Sequence, residues 1–133
     1  MDYLKWAKET FKDDIYAKET TGIEIEEVGL NYAKCSLKLD KKHQNAEGEV
    51  MGGAIFTLAD FTFAIASNTD GVLTVSLSSQ INYLNKVRGK MLFAEANCSK
   101  TGKNVCFYDV TITDEEKTTI ATVLITGFRK QPD

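Results

Sequence analysis

Polar and apolar residues change rhythm several times along this chain, and each rhythm predicts an element. Leu4, Ala7, Phe11 and Ile15 recur at helical spacing, with Lys5, Lys8, Glu9, Lys12 and Asp13 between them. This predicts an amphipathic helix with one covered face over residues 1–21, ended by Thr20-Thr21-Gly22. A period of two follows. Ile23 and Ile25 alternate with Glu24 and Glu26, and Ala33, Cys35, Leu37 and Leu39 alternate with Lys34, Ser36 and Lys38. Two half-buried strands are predicted there. "KKHQNAEGEV" then reads as a polar loop, in which His43 is expected to be a solvated residue.

From residue 53 to about 67 the alternation vanishes. This run is rich in alanine, apolar on nearly every side and too long for an ordinary strand, so it predicts a helix buried nearly all round. Four further strands follow. In the first, Leu73, Val75, Leu77, Ile81 and Tyr83 alternate with Thr74, Ser76, Ser78, Gln80 and Asn82. Residues 90–100 and 104–113 read as a hairpin about Thr101-Gly102-Lys103, and the last strand spans about 117–128. The order is helix, two strands, buried helix, four strands. It predicts one α+β domain over residues 1–133, a curved, mostly antiparallel six-stranded sheet wrapped around one long helix. Self-association is expected to cover a free edge or face of such a sheet.

Charge and composition narrow the function classes. A formal net charge of −3 offers no basic face for electrostatically driven nucleic-acid binding. The opening "MDYLKWAKETF" mixes charges early and is not a secretory signal, and the longest apolar run is too short and interrupted to span a bilayer. Cys35, Cys98 and Cys106 are odd in number with no CxxC pair, which argues against a disulfide framework. One histidine and unspaced cysteines also argue against a metal site. A soluble cytoplasmic protein without metal or cofactor is the expectation.

One residue breaks the apolar run. Between Ala54 and Ala66 the polar side chains are Thr57, Thr62 and a single carboxylate, Asp60. An ionised carboxylate on a buried element is costly unless paired, hydrogen-bonded or wet. Gly52-Gly53 opens the same helix, where unpaired backbone N–H groups and the positive end of the helix dipole collect. Glycine lets a substrate approach that backbone closely. Asn45, in the loop upstream, can donate and accept hydrogen bonds.

The stretch Asn45-x-x-Gly48-x-x-Met51-Gly52-Gly53-x-x-Phe56-x-Leu58-Ala59-Asp60 resembles the signature of hotdog-fold acyl-CoA thioesterases of the phenylacetate-pathway (PaaI-like) type, within the 4-hydroxybenzoyl-CoA thioesterase superfamily. "VSLSSQINYL" and "CSKTGKNVCFYDVTI" are similar to the family's third strand and following hairpin, so the likeness covers roughly residues 22–129. Two positions depart from it. Met51 stands where the family usually has a histidine that orients the thioester carbonyl, and Asn85-Lys86-Val87 replaces the usual Arg-Pro.

The resemblance implies thioester hydrolysis, with Asp60 as general base or nucleophile and the amide of Gly52 or Gly53 as oxyanion donor. It implies that Asn45 and Ser76 fix the attacking water or the carbonyl. Ser78, two positions on, is expected to share the face of Ser76. Met51 and Phe56 would contact substrate, and Lys86, Arg88, Lys100 and Lys103 would approach the coenzyme A phosphates. Gly53 and Asp60 are about 10 Å apart along a helix axis, too far for one thioester carbon to touch both. The resemblance therefore also implies a site shared between subunits of a homodimer, extended to a homotetramer as a dimer of dimers. Nucleic acid and membrane are not expected partners. The alternative is a hotdog protein that binds an acyl-CoA or other acyl ligand without turnover. Met51 favours that alternative, and the retained Asn45 and Asp60 favour the enzyme.

Overall fold

The computed structural model describes residues 1–131. Helix α1 runs Tyr3–Thr10, its first turn capped by the Asp2 carboxylate, which accepts the Lys5 N–H at 3.0 Å. The helix stops well short of the predicted residue 21. Phe11 turns inward and sets its ring edge-on against Phe61 with centroids 5.8 Å apart, while Ile15, the next residue of the expected stripe, is 48% exposed. The chain bends through residues 12–14 and resumes as a single π-helical turn, Tyr16–Thr21. Gly22 closes that turn at φ 92°, a conformation that glycine adopts without steric cost.

The strands are β1 (Ile23–Gly29), β2 (Tyr32–Lys38), β3 (Leu73–Tyr83), β4 (Met91–Thr101), β5 (Val105–Asp114) and β6 (Thr119–Lys130). They form one antiparallel sheet in the order β1-β2-β4-β5-β6-β3. Helix α2, Gly52–Ser67, lies across its concave face. Leu58, Phe63 and Ile65 from the helix meet Ile23, Leu37, Leu92, Ile112 and Ile125 from the strands, all fully buried. A fully buried side chain of this kind contributes about 1.5–3 kcal/mol, so this helix–sheet contact is the main source of stability. The architecture is the expected hotdog fold, with strand ends displaced by only one or two residues.

Three local features differ from expectation, and each bears on the site. First, α2 is not buried all round. Gly53, Thr57, Asp60 and Ala64 recur at i, i+4, i+7 and i+11, and this stripe is exposed or only half covered. Thr57 and Thr62 spend their hydroxyls on the helix itself, bonding to the carbonyls of Gly53 and Leu58 at 2.8 and 2.7 Å.

Second, His43 is buried, with 5% of its surface exposed, and is not a solvated loop residue. Its Nδ1 accepts the Asp40 N–H at 2.9 Å and its Nε2 lies 2.7 Å from the Thr21 carbonyl oxygen. Nδ1 thus serves as acceptor and Nε2 carries the proton, so the ring ties the N-terminal segment to the loop before α2. Loop polarity suggested solvent; two backbone partners far apart in sequence won instead.

Third, β3 carries a bulge. Ser76 pairs with Gly127 and Ser78 with Thr126, leaving Leu77 as the extra residue. Ser76 therefore shares the helix-facing side of buried Gly127, and Ser78 turns to the outer side with Thr126, so the two serines do not share a face. Beyond the bulge Ser79, Ile81 and Tyr83 point inward, opposite buried Ile125, Val123 and Ala121. Before it, Leu73 and Val75 point outward and are 58% and 53% exposed.

Candidate active site

The start of α2 is uncapped by any side chain. Met51 occupies the N-cap position, and its own carbonyl takes the Ala54 N–H at 3.0 Å. The N–H groups of Gly52 and Gly53 have no protein acceptor among the described residues. Nothing lies within 4 Å of where a Gly53 Cβ would sit, so this backbone is open to a ligand. Two free donors at the positive end of a sixteen-residue helix form a site for a developing negative charge.

Tyr83 controls this end of the helix. Its hydroxyl donates to the Gly52 carbonyl at 2.9 Å, and a Cβ on Gly52 would lie only 3.0 Å from that oxygen. The Gly52 carbonyl and the Gly53 N–H belong to one planar peptide unit, so a bond to the first fixes the direction of the second. In the sequence Tyr83 reads only as an apolar position of the alternating strand; the bulge that aims it at the helix leaves no sequence signal. A cleft of about 420 Å³ opens here, lined by Val50, Gly52, Ile55, Tyr83, Lys86 and Val87 among others.

Asp60 sits two turns along the same helix, half-buried and with no side-chain hydrogen bond to any described residue. Burial pushes its carboxyl above the usual carboxylate range, and the nearby Asp14 carboxylate adds to the shift. Asp14 lies in the bend after α1, which Phe11 pins against the neighbouring Phe61. A carboxylate that is partly desolvated and free of partners is a stronger proton acceptor than an ordinary surface aspartate.

The other predicted residues separate into groups. Asn45 spends its side-chain carbonyl on its own loop, accepting the Glu47 and Glu49 N–H groups at 2.9 and 3.1 Å, which leaves its amide as donor. Met51 is 54% exposed beside the two glycines. Phe56 is half-buried against the core. Ser76 lies exposed on the helix-facing side of the edge strand. Lys86 lines the cleft but is paired with Glu49 at 2.8 Å. The Arg88 side chain is exposed near that end. Lys100 and Lys103 lie by the β4–β5 turn, whose Asn104 carbonyl accepts the Arg129 N–H. Arg129 pairs with Thr74 near the start of β3, so these lysines are at the far end of the strand from Tyr83. One chain does not bring all four cations together.

Cys35 and Cys106 offer no competing nucleophile. Burial pushes the Cys35 thiol up to about 12, against a lowering hydroxyl contact from Thr62, and burial also raises Cys106. Neither provides a thiolate near neutral pH.

An unpaired carboxylate and free helix-end amides are the parts needed to cleave an ester-like carbonyl, and the comparisons agree in kind. Residues 47–121 match the profile of the Thioesterase superfamily. The chain belongs to that superfamily, as a PaaI-like, hotdog-fold thioester hydrolase. A putative esterase of Archaeoglobus fulgidus is 32% identical over 130 residues, covering 94% of this chain and 84% of its own length. The acyl-coenzyme A thioesterase PaaI of Escherichia coli is 29% identical over 124 residues, covering 91% and 88%. The solved E. coli PaaI structure, from the phenylacetic acid degradation operon, superposes with a TM-score of 0.91 at 26% identity over 98% of this chain and 94% of that one. A hypothetical thioesterase protein from Streptococcus pneumoniae, solved with coenzyme A, superposes with a TM-score of 0.83 at 27% identity, covering 90% of this chain and 96% of that one.

Proposed function

We propose that this protein hydrolyses acyl-CoA thioesters to the free acid and coenzyme A. The observation that carries the reading is the pairing, on one helix, of free N–H groups at Gly52 and Gly53 with a half-buried, unpartnered Asp60. The amides stabilise the oxyanion, and Asp60 takes a proton from the attacking water or itself attacks the carbonyl. Asn45 and Ser76 steady the water or the carbonyl; Met51 and Phe56 contact substrate; Lys86, Arg88, Lys100 and Lys103 approach the phosphates of coenzyme A.

The site is completed by a second copy of the chain. Seven residues separate Gly53 from Asp60, about 10 Å of helix axis, so the acid acting on a carbonyl held at one helix end comes from the partner. The half-covered stripe on α2 and the unpaired outer edge of the eleven-residue β3 support a homodimer. Val75, Val105, Phe107, Leu124 and Phe128 leave exposed apolar surface on the outer face of β3, β5 and β6. That surface supports a further dimer of dimers.

A second reading, acyl-CoA binding without turnover, draws on Met51, which offers no side-chain donor where the family usually has a histidine. Asp60→Asn separates the two. Asparagine keeps the shape but cannot accept the proton, and positioned acid–base groups contribute about 10²–10⁴-fold. Thiol release from acyl-CoAs should fall by about that factor, with coenzyme A binding retained. A carboxyl raised in the fold contributes stability that is present at low pH and lost as pH rises through its folded value. Asp60→Asn should therefore also melt higher than the parent at neutral pH. Unchanged thiol release would overturn the hydrolytic reading.

A further inference from the structure

A groove of about 630 Å³ lies between α1, the C-terminal half of α2 and the start of β3. Its walls include Trp6 and Phe11 from α1, Ala64 and Asn68 from α2, and Leu73 and Thr74 from β3. Ala64 is four residues beyond Asp60, on the same helix face and about 6 Å along the axis. The groove therefore begins one turn past the proposed acid.

The polar lining side chains on α2, β3 and the turn between them are already engaged by the protein, which leaves the Thr10 hydroxyl and the Met1 amine on the α1 side. Asn68 donates to the carbonyls of Ala64 and Thr74 and accepts the Thr74 N–H. The Thr74 hydroxyl donates to Val72, and the Thr69 hydroxyl donates to Ala66 while accepting the Asn31 N–H. The Asp70 carboxylate holds Arg129 at 2.9 Å and the Val72 N–H at 3.1 Å. What remains for a ligand away from that side is mostly hydrocarbon and aromatic surface. Three rings run in series: Trp6 edge-on to Phe11 at 6.0 Å, and Phe11 edge-on to Phe61, the neighbour of Asp60, at 5.8 Å. Asp14 and Asp60 at the near end disfavour a second negative charge.

We propose that this groove is the acyl-binding subsite, that its occupant is an uncharged apolar acyl arm, and that Trp6 is the specificity-determining wall. The inference rests on the acyl-CoA reading, with the thioester carbon held at Asp60 whether or not it is cleaved there. With the carbonyl there, the arm extends along Ala64 toward Asn68 and its far end meets the indole. An acyl group longer than the groove collides with Trp6 or leaves the apolar walls.

Trp6 is the only tryptophan in the chain, so its emission reports on this groove alone. The parent protein is titrated with S-octyl-coenzyme A, a thioether that cannot be hydrolysed, and with free coenzyme A. A saturable blue shift with the thioether, absent with free coenzyme A, is expected. One methylene of fit in an apolar pocket is worth about 10–200-fold in kcat/KM. Trp6→Ala should thus raise kcat/KM for dodecanoyl-CoA relative to butanoyl-CoA at least about tenfold. If acyl-CoAs are cleaved while Trp6 emission stays silent to the bound thioether, the subsite is wrong and the hydrolytic reading stands. A blue shift without cleavage of any acyl-CoA supports the subsite and overturns hydrolysis. Emission that follows protein concentration rather than the thioether means that a second copy fills the groove, and overturns the proposal.

Discussion

Replacing Tyr83 with phenylalanine removes one hydroxyl and leaves the ring, so it isolates the bond to the Gly52 carbonyl. That bond is neutral, 2.9 Å long and made by a side chain that is 53% exposed. Water can replace the lost donor, so the stability cost belongs at the low end of the usual range, about 0.5 kcal/mol. For a chain of this size that lowers Tm by roughly 1–3 °C. The kinetic cost should be larger than the thermal one. Deleting an oxyanion donor outright costs about 10²–10³-fold. Here the donor stays and only its orientation is freed, so about a 3–30-fold fall in kcat is expected, with KM nearly unchanged.

Gly52→Ala attacks the same bond from the other side. The new Cβ would sit 3.0 Å from the Tyr83 hydroxyl oxygen and 3.1 Å from Cζ, so the phenol must shift by a few tenths of an ångström. Its kcat should fall similarly, and the double variant should be no worse than the poorer single, because both break one interaction. The assay is thiol release under saturating acyl-CoA, run beside thermal melts of the same samples. If Tyr83→Phe turns over within twofold of the parent, Tyr83 does not orient the helix end. Additive losses in the double variant would refute the shared bond.

Met51→His places a side-chain donor beside the Gly52 and Gly53 amides at an exposed position, so the fold should be unaffected and kcat should rise. The gain is bounded by about 2–4 kcal/mol in the activation barrier, read as kcat in the same thiol assay. Asp14→Asn removes the charge that adds to the burial-raised Asp60 carboxyl. The base then loses its proton at lower pH, so the acid limb of kcat/KM against pH should move down, with the plateau unchanged. His43→Ala leaves the Asp40 N–H and the Thr21 carbonyl without their side-chain partners in a buried place. It should cost about 1–3 kcal/mol in urea unfolding, more than an exposed loop residue would.

The sheet-and-helix architecture was legible because it depends on periodicity alone. Buried α2 and the alternating strands announce themselves by which residues avoid water. Asp60 was legible for the complementary reason, as a charge where the pattern forbids one. The N-terminal helix was misjudged because Phe11 fits a helical stripe and also a ring-on-ring contact with Phe61, and tertiary packing decided between them. His43 was misjudged because its partners, Asp40 and Thr21, are backbone groups, which side-chain patterns do not display. Tyr83 escaped because its place at the helix end comes from a hydrogen bond to a distant segment.

The extra residue in β3 has a consequence for how this chain can vary over generations. Ser76 and Tyr83 are seven positions apart, an odd number, yet both face the helix because Leu77 falls out of the alternation. A one-residue deletion there would bring them to six apart, so regular pairing would keep both on the helix side and only the local bend and twist of the bulge would be lost. The length of this segment is thus free to change by that one residue while its inward face is kept. Substitutions at Leu77, exposed and outside the ladder, should be accepted freely, and so should the loss of its codon. In a library of natural or random variants, β3 should occur both with and without a residue at this position, Ser76 and Tyr83 facing the helix in each.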